Sequence, residues 1–484
     1  MPPLDGPTAS TPVPTPEVSF RERIIRAEQD KRSSIESLLN VSGMPALLAA
    51  LEEKGEGPWD QHRPLPVPPE HARAIAEQLF ESSRATPGDL MVVEGTRETL
   101  GVLEEVLRIC DRESVRVRFD FRNFAREAIF AKYLSDQAQG DGLSPLATLA
   151  HARLELYDGV NRTLRVITNP DSGIKEFADS AKSSQLATLM APMVQRLRSG
   201  DLHYIVTILP TASDAALDGM DHQGYMTLFL EACNQPWAEI KAAQGLLKEK
   251  FDRARAIRIT NNDGTDVTLD ITGQTFANSV VLKNLPGSEI FSSPLREGVN
   301  GTIVAKGRFQ FRASGIMEDL TLVFEQGRIA SFDARVGRED LADIIFSDNG
   351  NGEGSRYLGE IGIGTNPHLR RHMINPLLVE KFGGSFHVAL GSCYSYTTYD
   401  GEPVALQNGN NSKSGVHWDV TTLLRGKGGN MELIYDTEGD ERETVQLDGN
   451  WLVPGCEVLN EGWGALALES RPEWWNERYP KGYV

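Results

Sequence analysis

The hydrophobic period of the chain changes near residue 256, and that change limits the folds open to it. Before it, helical and strand-like stretches alternate. EHARAIAEQLFESS (70–83) spaces its apolar residues like an amphipathic helix, and TPGDLMVVEG follows with a turn at Pro87-Gly88 and a strand at Leu90–Val93. TRETLGVLEEVLRICDR reads as the next helix and SVRVRFDF as the next strand. Helix fills much of 124–200, with further strands at LRVITNP (164–170) and DLHYIVTILP (201–210). This alternation predicts a mostly parallel sheet with helices on its faces. A long helix over 224–254, kinked at Pro236, leads out of it.

After residue 256 the runs shorten and alternate with period two. AIRITNNDGTDVTLDITGQTF turns at Asn262-Asp263-Gly264 and reads as a hairpin. GTIVAKGRFQF, DLTLVFEQGRIASFDA, MELIYDTEG and ETVQLDGNWL repeat the pattern, and helix is confined to pieces such as RVGREDLADIIFSD. The expected fold class is α/β: an N-terminal α/β domain with a mostly parallel sheet over 71–255, then a strand-rich α+β domain over 256–484. Residues 1–70 read as an N-terminal extension: a Pro/Ser/Thr-rich tail, a helix over 20–53 broken near Val41–Pro45, and a Gly/Pro linker over 55–70. A length of 484 residues suits two domains.

Charge and composition exclude several function classes. A net charge of −19 opposes binding to nucleic acid or an anionic membrane. No apolar run approaches the ~20 residues that span a bilayer. The start of the chain has neither the basic nor the apolar region of a secretory signal. Cys110, Cys233, Cys393 and Cys456 are far apart and form no CxxC pair, so a thiolate zinc site and a disulfide framework are not expected, and a cytoplasmic setting is. No GxGxxG, P-loop, HExxH or GxSxG motif occurs.

The candidate chemistry lies in the strand-rich half. NLPGSEIFSSP carries Glu289, YLGEIGIGTNP carries Glu360, GSFHVALGSCY carries His387 and Tyr394, and HWD carries His417 and Asp419. Each has a plain alternative. Glu289 follows a Pro-Gly turn and can be a solvated loop acid. Glu360 sits among apolar residues and glycines, where a carboxylate needs a partner: a buried ion pair or a metal. His387 in a strand can be a core histidine. His417 and Asp419, at i and i+2, share a strand face and can simply hydrogen-bond each other.

As a set these residues give an oxygen and nitrogen field without sulfur, suited to Zn, Co, Mn or Mg. Three carboxylates and a bridging hydroxide balance two divalent ions, which favours a two-metal site. Cys393 has no histidine placed nearby in sequence to activate it. The cluster His368, Arg370, Arg371 and His372 reads either as a binder of a substrate carboxylate or as a charged loop.

In order and approximate spacing, PGSEIFSSP, RYLGEIGIG, FHVALGSCY and HWD resemble the segments that build the dinuclear site of the thermophilic-type metallo-aminopeptidase family, the AmpS/aminopeptidase T group. The resemblance is carried by about 256–455 and is looser over 70–255. It implies a metal-dependent hydrolase, an aminopeptidase that releases N-terminal amino acids with a two-metal-bound hydroxide as nucleophile. It implies Glu289, Glu360, His387, Tyr394, His417 and Asp419 as metal ligands, Tyr394 and Glu289 as catalytic residues, two ions (Zn, Co or Mn), a small peptide or amino-acid amide as substrate, and a homodimer. Two segments depart from the family pattern: LGEIGIG stands where the family reads LGEVALV, and the loop between Tyr394 and His417 differs. A neighbouring branch on the same scaffold, the iron-dependent dihydroxypyridine ring-cleaving dioxygenases, is the alternative. That branch has a histidine at the position like Glu360 and no acid at the position like Glu289.

Overall fold

A computed structural model of the chain describes residues 67–122, 143–168, 185–186, 188–311, 314–348, 353–369, 371–410, 414–436 and 441–460. The tail, the broken helix and most of the linker expected over 1–70 lie outside the described residues, as does Arg370.

Over its described residues the first half alternates as its periodicity predicts; much of the helix expected over 124–200 falls in 123–142 and 169–184, outside the described residues. Helix α1 (Pro69–Ser83) opens on a proline, whose missing N–H is harmless at a helix start. It buries Ala72, Ile75, Ala76 and Leu79 along one stripe, then stops at Arg84 in the left-handed conformation. Strand β1 (Leu90–Thr96) and helix α2 (Leu100–Arg112) follow; α2 buries Val102, Leu103, Val106 and Ile109 at helical spacing. Next come β2 (Arg116–Arg122), α3 (Pro145–Leu156), β3 (Arg162–Ile167), α4 (Ala191–Ser199) and β4 (His203–Ile208). The strands pair in parallel in the order β2-β1-β3-β4.

Glu94 on β1 is a buried acid in this sheet, and its register partner on β3 is Arg165. The carboxylate accepts from Arg165 at 3.0 and 3.1 Å, from Arg122 at 3.0 Å and from the Tyr157 hydroxyl at 3.3 Å. Burial alone would raise the Glu94 carboxyl, but the two guanidiniums outweigh it and hold it at about 2, below the ordinary 4.5. A depressed carboxyl adds stability that is complete above its unfolded value and is lost as pH falls through its folded value. Glu94→Gln is therefore expected to cost about 3 kcal/mol near neutral pH, the low end for breaking a buried pair because both arginines keep some contact with water. The gap between wild-type and variant melting temperatures should shrink between about pH 4.5 and pH 2. A gap that stays constant over that range would contradict the assignment.

After α5 (Ala212–Leu217) the structure corrects one expectation. The kinked helix over 224–254 is two helices, α6 (His222–Cys233) and α7 (Trp237–Phe251), separated at Pro236. Proline there removes the N–H that would continue the ladder, and its ring clashes with the preceding turn.

The second half is a succession of short strands. They are β5 (Ala256–Thr260), β6 (Asp266–Asp270), β7 (Ala277–Ser279), β8 (Asn284–Leu285), β9 (Glu289–Ser292), β10 (Val299–Phe309), β11 (Met317–Glu325) and β12 (Arg328–Val336). After helix α8 (Arg338–Ile345) come β13 (Leu358–Gly364), a short helix α9 (Pro376–Val379) and β14 (Ser385–Gly391). The remaining strands are β15 (Thr398–Tyr399), β16 (Glu402–Pro403), β17 (His417–Leu423), β18 (Asn430–Ile434), β19 (Arg442–Leu447) and β20 (Asn450–Trp451). An antiparallel sheet runs β12-β11-β10-β6-β5-β18-β19-β20, and a second antiparallel sheet runs β17-β14-β13-β9-β7. β8 instead joins the parallel sheet beside β4. Gln326 and Gly327 close the β11–β12 hairpin, both with positive φ, as two-residue hairpin turns require.

Ile257, Ile259, Val267 and Leu269 of the eight-stranded sheet share one buried core with Ile290, Ile361, Ile363, Phe386, Val388, Trp418 and Val420 of the five-stranded sheet. Period two then sends the intervening residues Glu289, Glu360, His387, His417 and Asp419 to the opposite face of that sheet. Among the described residues no helix is long and apolar enough to cross a membrane.

Candidate metal centre

Register aligns these side chains across four strands. Gly364 on β13 faces Glu289 on β9, Gly362 faces His387 on β14, and Glu360 faces Ala389, which in turn faces Asp419 on β17. The glycine at 362 has a steric reason: a Cβ there would overlap the His387 ring. This is one of the positions where the chain departs from the LGEVALV pattern.

The result is two overlapping triads. Ligand atoms of Glu289, Glu360 and His387 lie within 4.8 Å of one another, and so do those of Glu360, His417 and Asp419. His387 Nε2 is 3.3 Å from Glu360 Oε1 and 3.6 Å from Glu289 Oε2. His417 Nε2 is 3.4 Å from Glu360 Oε2 and 3.9 Å from Asp419 Oδ2. The Nδ1 of His417 lies 2.7 Å from the Ser392 carbonyl. A carbonyl only accepts, so Nδ1 carries a proton and Nε2 points at the acids, a donor to Glu360 while the ring is charged and a lone pair for a cation once it is neutral.

The donor set fits a cation. Glu289 Oε2 and Asp419 Oδ1 are buried and have no hydrogen-bond donor among the described residues, and Glu360 Oε2 is buried 3.4 Å from His417 Nε2. Such oxygens are costly unless something positive faces them. Burial pushes the carboxyls of Glu289 and Asp419 up. Burial would raise Glu360 too, but hydrogen bonds from His387 and His417 outweigh it and hold it at about 2. Burial would likewise lower both histidines, yet the surrounding acids raise His387 to about 9 and His417 to about 10. The pocket thus draws positive charge, as protons or as metal ions.

Tyr394 lies at the edge of the cluster. Its ring centroid is 4.8 Å from that of His417, and it packs edge-on against Phe291 at 5.8 Å and stacks on Tyr396 at 5.1 Å. Burial pushes its phenol well above the ordinary value, so the hydroxyl stays protonated at neutral pH. Cys393 is buried, and burial raises its thiol. Of the basic cluster after β13, Arg371 donates to the Asp218 carbonyl at 2.6 Å, His368 is buried, and His372 packs on Phe309 at 4.8 Å, where burial lowers its imidazole to about 4.

Sequence reasoning missed Glu380 and Lys381. Lys381 is only 2% exposed, and its ammonium bridges Glu289 Oε1 at 2.7 Å and Glu380 Oε2 at 3.0 Å. The available signal was a charged pair inside the apolar run NPLLVEKFGG, directly after α9.

The sequence signature of the thermophilic metalloproteases (M29) matches residues 75–451, well over half of the chain. The chain belongs to that family. The M29 match runs from α1 to β20, and membership in a metalloprotease family makes divalent metal part of its chemistry. Aminopeptidase AmpS of Bacillus subtilis (strain 168) is 28% identical over 205 residues, 39% of this chain and 47% of that protein. Aminopeptidase 2 of Geobacillus stearothermophilus is 27% identical over 177 residues, 35% of this chain and 40% of that protein. These matches span less than half the length of either relative. Among solved structures, AmpT from Thermus thermophilus superposes with a TM-score of 0.61 at 18% identity, covering 79% of this chain and 99% of that one; the likeness is one of fold.

Proposed function

We propose that this M29 chain is a metal-dependent aminopeptidase with two divalent ions held by Glu289, Glu360, His387, His417 and Asp419, Tyr394 standing beside them. The observation that carries it is the pair of triads sharing Glu360, so that one carboxylate would serve both of two neighbouring ions. When bound, such ions polarise a scissile carbonyl and bring the pKa of a water near neutral. Without sulfur among the donors, Zn, Co or Mn suits the set.

The chain's own groups do the rest. Ser392 orients His417, and Lys381 fixes one oxygen of Glu289 so that the other faces inward. A free substrate amine would add one more nitrogen donor to this oxygen and nitrogen set, which favours cleavage next to a free amino terminus. Tyr394 stays protonated and can donate to the oxyanion as it forms, a contact commonly worth ~3 kcal/mol. In this reading 256–484 carries the chemistry, 71–255 forms the α/β part and 1–70 is an extension; a cytoplasmic homodimer is the matching expectation. The dioxygenase alternative needs two histidines and one carboxylate on one iron, whereas each triad here holds one histidine and two carboxylates.

Protein purified without chelator is expected to hold two metal equivalents. With Zn, Co or Mn it should hydrolyse amino-acid anilides and short peptides but not their N-acetylated forms. No hydrolysis across such a panel overturns the reading, and oxygen uptake with a pyridine diol and ferrous ion would replace it with the alternative.

A further inference from the structure

Lys283 is a buried cation without an acid. The residue is 9% exposed, and among the described residues no carboxylate lies within ion-pair distance of its ammonium. One partner is His203, whose Nδ1 is 3.3 Å from Lys283 Nζ, while His203 Nε2 is 2.9 Å from the Ser82 carbonyl. Because that carbonyl can only accept, Nε2 carries the imidazole proton and Nδ1 accepts from Lys283. The ammonium also sits over two rings, 4.9 Å from the centroid of Tyr204 and 5.8 Å from that of Tyr396. Rings compensate a buried charge only partly. Arg84, whose charge also reaches Lys283, is itself paired with Asp400, which Lys241 holds at 2.6 Å. Burial, helped by the Arg84 charge, pulls the Lys283 amine down to about 8.

The second of these rings connects this cation to the metal centre. Tyr396 stacks on Tyr394, and Tyr394 lies against His417. A wall of two tyrosines therefore runs from a cluster of acids to a lone buried cation, a span that an extended peptide of a few residues covers at ~3.4 Å each. A short peptide held at the centre by its free amino end presents a carboxylate at the other end.

We propose that Lys283 receives the C-terminal carboxylate of the substrate, which makes short peptides with a free C-terminus the preferred substrate class. The proposal rests on the aminopeptidase reading of the metal centre. Binding the carboxylate gives the ammonium the anion that the described residues do not supply and moves it from a ring cage to a charge-assisted hydrogen bond.

The test compares peptide acids with their C-terminal amides, on the wild-type protein, on Lys283→Met, which keeps the apolar stem, and on Lys283→Arg, which keeps the charge. With metal-loaded wild-type protein the tripeptide acid should have a KM roughly 10- to 100-fold below that of its amide. Lys283→Met should erase the difference by raising KM for the acid alone, with amide kinetics within about twofold of wild type, and Lys283→Arg should retain part of it. Calorimetric titration of the metal-loaded proteins with an N-acetylated tripeptide acid and its amide gives the same comparison without turnover. Should wild type cleave neither peptide, the aminopeptidase reading fails, and the titration still decides Lys283. An equal response to acid and amide in the wild type, no measurable binding of either, or a preference that survives in Lys283→Met overturns the proposal.

Discussion

Glu360→Gln is expected to lose a metal equivalent and at least a hundredfold in turnover while the fold persists. Glu360 belongs to both triads, touching His387 on one side and His417 on the other. The amide keeps the size but removes a negative charge and a strong donor. Partners that merely support a ligand commonly cost 10–100-fold when removed, so loss of the shared ligand should exceed that. Were Glu360 only a member of a buried ion pair with the two histidines, the pattern would invert. Removing one partner of a buried pair costs about 3–5 kcal/mol, so the melting temperature would fall steeply with the metal content unchanged. Elemental analysis and thermal melts on the same sample separate the two. An unchanged metal content beside a large fall in melting temperature sinks the ligand assignment.

Lys381→Met should be the most destabilising single change near the site. The ammonium is the cation shared by Glu289 and Glu380. Methionine keeps the stem but leaves two buried carboxylates facing each other without it, at a cost of about 3–5 kcal/mol. Burial already raises both carboxyls, and losing the lysine should raise them further. A carboxyl whose folded pKa lies above its unfolded value contributes stability at low pH and loses it as pH rises through the folded value. The variant should therefore be closer to wild type at pH 5 than at pH 8, and added Zn or Co should recover more of its melting temperature than in the wild type, because a metal ion replaces the missing charge beside Glu289. Equal destabilisation at both pH values, with no extra response to metal, would contradict this role.

The residues of the centre were legible one strand at a time. A carboxylate in LGEIGIG, a histidine in FHVAL and a His-x-Asp pair each violate the apolar run around them, and a polar residue in a buried strand needs a reason. For one pair the common face was legible as well, since period two puts His417 with Asp419; Glu289, which follows a Pro-Gly turn and could have been a solvated loop acid, opens the buried strand β9 instead. The helix-strand alternation before residue 256 and the hairpin turns after it were equally readable, because turn chemistry and periodicity are local. Pro236 was read as a kink and is a break: the sequence shows the missing N–H, but whether a helix resumes in line depends on what each half packs against.

Other features had no local signal. The order β17-β14-β13-β9-β7 sets Glu289, Glu360, His387 and Asp419 side by side although they span 289 to 419. Lys381 follows a single-turn helix, so no periodicity announces that its ammonium lies between Glu289 and Glu380. Lys283 precedes β8, the short strand that crosses to the parallel sheet and leaves the lysine against His203, Tyr204 and Tyr396. By itself the sequence determined the strand period, the turns and the residues that could not be ordinary core. Tertiary structure alone decided which of them meet, because strand order is set by burying both faces of every sheet at once, a condition no single segment carries.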